Sequence, residues 1–136
     1  MAKMNNKGRN HNQGRFAGIP IRVMDTQDYK DLPYTAKALL FELAYQYRSN
    51  NNGDLTVALS VLKKRGWKRE ATISSAITKL LEANLITKTR HGYFRNPESR
   101  CALYAINWQP INDCRGKDLE VKPTITPPRK FSLEQR

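Results

Sequence analysis

The sequence predicts an α+β domain, with three helices followed by a two- to three-stranded β hairpin and flexible tails at both ends. Three observations carry the prediction. Ala36, Leu39, Leu40, Leu43, Ala44 and Tyr47 recur at helical spacing and form one continuous face. A second such face, Ile73, Ala76, Ile77, Leu80 and Leu81, follows a stop at Gly66-Trp67. Two runs rich in β-formers, 85–90 and 101–108, then bracket a stretch whose Gly92, Asn96 and Pro97 mark a loop.

Taken in chain order, residues 1–15 hold almost nothing that can be buried and read as a disordered basic arm. Phe16 to Met24 alternates imperfectly through Ile19, Ile21 and Val23, and Pro20 limits it to an edge strand at best. The first long helix spans about 33–48, with Pro33 suited to its first turn. It stops at Asn50-Asn51-Asn52-Gly53, residue types that tolerate a left-handed turn. Asp54-Leu55-Thr56 is a short strand, and Thr56 caps a second helix that runs to about Arg65 with Ala58, Val61 and Leu62 inward. Gly66 supplies that helix's C-terminal turn, and Trp67 is large enough to plug the core beside it. The third helix covers 69–84. The strands flank the loop 91–100, and after Trp108 the prolines and mixed charge suggest an extended tail over 112–136 without a core of its own. The domain proper is then 16–111.

Charge narrows the class of partner. The chain has 136 residues, 24 basic and 12 acidic, for a net charge of +12, a field that attracts polyanions. Residues 1–18 carry +4, 57–100 carry +7, and 25–56 carry −2 from three bases and five acids. The positive charge is therefore concentrated on the arm and on the segment holding the second and third helices. No apolar run approaches the roughly 18 residues of a membrane span. The basic N-terminus lacks the apolar core of a secretory signal, and two cysteines, Cys101 and Cys114, suit a reducing compartment. The expected location is the cytoplasm.

Helix, short strand, helix, helix, strand, basic loop, strand is the order of a winged helix-turn-helix. The run Thr72-Ile73-Ser74-Ser75-Ala76-Ile77-Thr78-Lys79-Leu80-Leu81-Glu82-Ala83-Asn84-Leu85-Ile86 resembles the recognition helix and following strand of that superfamily. Asn51-Asn52-Gly53-Asp54-Leu55, Arg65-Gly66-Trp67 and Leu103-Tyr104-Ala105-Ile106-Asn107-Trp108 resemble small proteobacterial and phage-type winged-helix proteins named for their domain and not for a role. The resemblance covers about 19–115. Lys68-Arg69-Glu70 departs from it, because many recognition helices begin with a Ser or Thr cap.

The resemblance is specific for the fold and weak for the role; the favoured reading is a DNA-binding protein, a sequence-specific transcriptional regulator or a replication-origin binder of a phage or mobile element, with double-stranded DNA as partner and a homodimer as one assembly. The residues give the same direction. Small hydroxyls near a helix N-terminus approach phosphates and base edges closely, and Lys and Arg supply counterion release and guanine contacts. The candidates on the third helix are Lys68, Arg69, Thr72, Ser75 and Lys79. Lys63, Lys64 and Arg65 end the second helix and would face the phosphate backbone, and Arg90, His91, Tyr93, Arg95 and Arg100 form the candidate wing. Each has a plainer reading: cations at a helix C-terminus favour the helix dipole, and a charged hairpin is often only a solvated one. Tyr93 and Phe94 favour single-stranded nucleic acid only if both are exposed.

The alternative is a winged-helix interaction module, a phage-type inhibitor or accessory factor whose basic face binds an acidic protein. Enzyme chemistry has no carrier here. Asp25, Asp28 and Asp31 are turn and helix N-terminal charges, and there is no Gly-rich phosphate loop and no GxSxG. His91, Cys101, Cys114 and His11 match no metal-ligand spacing, so neither a metal nor a cofactor is expected.

Overall fold

A computed structural model of the chain describes residues 14–94 and 99–134. Most of the expected arm and Arg95 lie outside the described residues. The architecture is α+β. Two short helices, α1 (Ile21–Met24) and α2 (Gln27–Lys30), precede the long α3 (Tyr34–Gln46). Next come α4 (Leu59–Leu62), continued by a 3-10 turn over Lys63–Arg65, and α5 (Glu70–Glu82). Four short strands follow, β1 (Ile86–Arg90), β2 (Tyr93–Phe94), β3 (Ser99–Arg100) and β4 (Leu103–Ile106), and a last turn of helix, α6 (Phe131–Glu134), closes the described chain.

The core forms where the two predicted helical faces meet. Leu39, Leu40 and Leu43 of α3 pack with Leu62, Ile73, Ile77 and Leu80 in one buried cluster, and α3 lies against α5. Both helices of the turn end in the same way. Gly66 sits at φ 99°, with Trp67 N–H donating to Leu62 O and Gly66 N–H to Lys63 O. Asn84 sits at φ 57°, with Leu85 N–H donating to Leu80 O and Asn84 N–H to Leu81 O. This is the paired 6→1 and 5→2 bonding of a Schellman stop. Glycine is the natural residue at the first, since other residues are strained in the left-handed region. Trp67 is half-buried against the core.

β1 and β4 pair antiparallel, Ile86 with Ile106 and Arg90 with Leu103, with a register shift between Lys88 and Arg90. Leu55 joins β4 through one bridge to Tyr104, so the expected short strand is a single bridged residue. Thr56 Oγ1 accepts from Ala58 N–H, but it does not cap α4 as expected, since the helix starts later, with Ala58 at its N-cap and no side-chain cap bond. The loop 91–100 contains a hairpin, β2 against β3. Asn52 ties these pieces together from a buried position. Its amide donates to Ile106 O, Gln109 O and Pro110 O, and its Oδ1 accepts from Ile106 N–H.

Three further expectations are corrected. Residues 16–24 do not make an edge strand, because Pro20 caps α1 and Ile19 and Val23, one helical turn apart, are both buried. Val61 points outward at 42% exposed, since the short α4 turns only Leu62 fully inward. The segment after 111 does not run free. Phe131 is 2% exposed within the main core. Arg129 donates to Ala83 O and Asn84 O at the end of α5, and its guanidinium also reaches Asp28 and Glu134. A buried aromatic and a guanidinium on helix-end carbonyls hold the tail down.

Candidate nucleic-acid interface

The sequence candidates fall into two groups with different surroundings. The first is the surface around the Gly66 stop. The 3-10 turn projects Lys63 and Lys64 into solvent, and the extended Lys68 and Arg69 lead into α5, all four exposed. Among the described residues none of the four is ion-paired. Arg69 occupies the N-cap of α5 and makes no side-chain cap bond, so the first-turn N–H groups of α5 remain available to an anion. Glu70 in that first turn suits the helix dipole but opposes a phosphate there.

Along α5, Ile73, Ala76, Ile77 and Leu80 face the core, and the opposite face carries Ser75, Thr78 and Lys79 exposed. Thr72 is half-buried at the edge of that face. Thr78 turns its hydroxyl back to Ser74 O at 3.0 Å. Lys79 lies 3.8 Å from Glu82 with both side chains more than half exposed, a pairing too weak to hold the lysine.

Arg65 belongs elsewhere. Its guanidinium meets Glu42 Oε1 at 2.9 Å and stacks 3.8 Å over the Tyr45 ring, and the hydrogen bond to Glu42 raises its pKa further. The expectation that it faces a phosphate backbone is replaced by a link between the 3-10 turn and α3.

The second group is the hairpin, and the C-terminal segment has already engaged it. Arg90 donates to Cys101 O at 2.7 Å and to Lys117 O at 2.9 Å. His91 Nδ1 lies 2.7 Å from Glu120 Oε1 and its backbone N–H donates to Glu120 Oε2; an ionised carboxylate only accepts, so Nδ1 carries the proton. Arg100 donates to Glu120 Oε2 at 2.8 Å and to His91 O, and lies 5.0 Å from the Tyr93 ring centre. Glu120 N–H adds a bond to Thr89 O. The bonds from His91, and secondarily the charge of Arg100, hold the Glu120 carboxyl below its ordinary range. His91 and Arg100 are therefore brought together around the Glu120 carboxylate, while Arg90 is held by backbone carbonyls, so none of the three stands open. Arg95 lies outside the described residues. Tyr93 is exposed, and the Phe94 side chain lies outside the described residues.

Glu120 is the residue at this surface that sequence reasoning missed. It sits 29 residues after His91 and 20 after Arg100, and no local pattern connects them. Gly92 is required at the hairpin entry for a similar non-local reason, since a Cβ there would meet Ala102 N at 2.7 Å. Among the described residues no three His, Cys, Asp or Glu side chains gather into a metal site, and no helix is long and apolar enough to cross a membrane. Comparison with known proteins returns no family model, no curated protein and no solved structure that matches this chain.

Proposed function

We propose that this protein is a winged helix-turn-helix that binds double-stranded DNA in a sequence-dependent way and acts as a transcriptional regulator or an origin binder. In this reading α4 and α5 are the paired helices, α5 enters the major groove, and the β1–β4 sheet with its hairpin is the wing. The observation that supports it is the contiguity of four exposed cations, Lys63, Lys64, Lys68 and Arg69, none ion-paired among the described residues, with the outer face of α5. Such cations release counterions along a phosphate backbone without choosing a sequence. Exposed Ser75 and Lys79, on a helix fixed from behind by Ile73 and Ile77, are of the right kind to read base edges.

The test is selection of bound duplexes from a random pool at near-physiological salt. A defined motif after several rounds supports the reading. Duplex retention without enrichment reduces it to non-specific binding, and no duplex retention at all removes it in favour of an acidic protein partner.

A further inference from the structure

Among the described residues, the α3 helix has a second apolar face that stands exposed. Tyr34 is 86% exposed, Phe41 40% and Tyr45 50%, and the small Ala38 is exposed between them. The spacing 34, 38, 41, 45 alternates four and three residues, the seam pattern by which one helix packs on another. The inner face of the same helix, Ala36, Leu39, Leu40 and Leu43, is already buried in the core. Val61, 42% exposed one turn before Arg65, widens the patch beside Tyr45.

Two features of the stripe select its occupant. The first is its internal symmetry. Tyr34 and Tyr45, and Ala38 and Phe41, are equidistant from one midpoint of α3. A two-fold axis level with that midpoint, running beside the helix and perpendicular to it, sets each Phe41 in the notch left by the other copy's Ala38. It also sets each Tyr34 beside the other copy's Tyr45, the self-complementary contact that two-fold symmetry requires. The second is charge. The chain is +12, but α3 carries one base, Lys37, and one acid, Glu42, and so no net charge. Two copies therefore repel least when they meet through α3, and an acidic partner would be drawn to the basic α5 surface instead. The rings are also held in place. Lys37 lies 5.6 Å from the Tyr34 ring centre, and the Arg65 that stacks on Tyr45 is itself held by Glu42, which lowers the ordering cost of association.

We infer that the outer face of α3 is a homodimer interface in which two copies pack antiparallel through Tyr34, Ala38, Phe41 and Tyr45. A 13-residue helix is about 20 Å long, so the contact falls at the small end of specific interfaces and dimerisation depends on concentration. In the dimer the two α5 helices, each behind its own α3, are related by the same axis. Their outer faces point away from each other, and the inference about the interface does not depend on the DNA-binding reading.

The experiment is sedimentation of the full chain, without DNA, over a concentration series reaching about 1 mM, with thermal melts alongside. The wild type is expected to pass from monomer to dimer. Ala38→Glu and Phe41→Glu should each weaken association at least about tenfold, since a carboxylate must then be desolvated against an aromatic ring. Their melts should match the wild type, because both positions are exposed. Ala38→Phe should weaken the dimer, and Ala38→Phe combined with Phe41→Ala should restore it by exchanging the large and small partners. A wild type monomeric at every concentration overturns the inference and leaves the face to a different protein. A dimer that both Glu variants leave intact, or no rescue by the size exchange, overturns the interface as assigned.

Discussion

Glu120 binds the Arg100 guanidinium at 2.8 Å while its other oxygen meets His91 Nδ1 at 2.7 Å. One carboxylate from the C-terminal segment thus occupies two of the side chains that the sequence marks for nucleic acid. A DNA backbone would compete with Glu120 for the same donors.

Removing that competitor should strengthen DNA binding. Glu120→Gln is expected to raise duplex affinity several-fold and to steepen the log–log salt dependence by about one unit, the increment for one added phosphate contact. A salt titration of both proteins on one duplex reads this directly. Equal or weaker binding by the variant would show that the clasp positions the hairpin productively and does not mask it.

The clasp also has a pH sign. The folded-state pKa of Glu120 is lowered, chiefly by its bonds to His91 and then by Arg100. Its contribution to stability is therefore fully present above the ordinary carboxylate value of about 4.3 and is lost as pH falls through the depressed folded value. Melting temperatures of wild type and Glu120→Gln should differ at neutral pH and converge in acid. A gap that stays constant down to acid pH contradicts the assignment.

Phe131 turns the C-terminal tail into part of the fold. Phe131→Ala should cost about 3–5 kcal/mol, the range for deleting a buried aromatic side chain. Denaturant unfolding measures it. A midpoint within error of the wild type would mean that the tail is dispensable.

Gly92→Ala should displace the hairpin, because the added Cβ meets backbone, Ala102 N, at 2.7 Å. Overpacking of this kind costs about 1–3 kcal/mol. Denaturant unfolding gives the cost, and changed amide shifts across 99–104 report the displacement. A variant with wild-type stability and shifts would remove the steric argument.

Sequence reasoning reached the elements whose signal is local. The faces of α3 and α5 could be read because burial repeats with the helix period, and Gly66 because a left-handed stop favours glycine. It failed where partners lie far apart. The Arg129–Asp28 pair spans 101 residues, and the prolines before Phe131 suggest a free tail when the aromatic that follows them anchors it. Ile19 and Val23 mimic strand alternation through Ile21 while occupying successive turns toward the core. At the candidate site, the cations of the Gly66 turn and the Ser75–Lys79 face stand open as expected. Arg65, Arg90, His91 and Arg100 do not, because a count of charges cannot show that Glu42 meets Arg65, that Glu120 meets His91 and Arg100, or that Arg90 meets the carbonyls of Cys101 and Lys117.

The claim at the centre is that α5 reads bases and does not merely hold phosphate. The measurement is the affinity of wild type, Ser75→Ala, Lys79→Ala and Lys63→Ala for a selected duplex and its scrambled counterpart at one salt concentration. Loss of a base contact should cost about 1–3 kcal/mol on the selected duplex alone, so Ser75→Ala and Lys79→Ala should shrink the ratio of the two affinities. Lys63→Ala should weaken both duplexes equally and leave the ratio intact. If the Ser75 and Lys79 variants instead lower both affinities in parallel, α5 does not discriminate sequence, and the account fails at its main point.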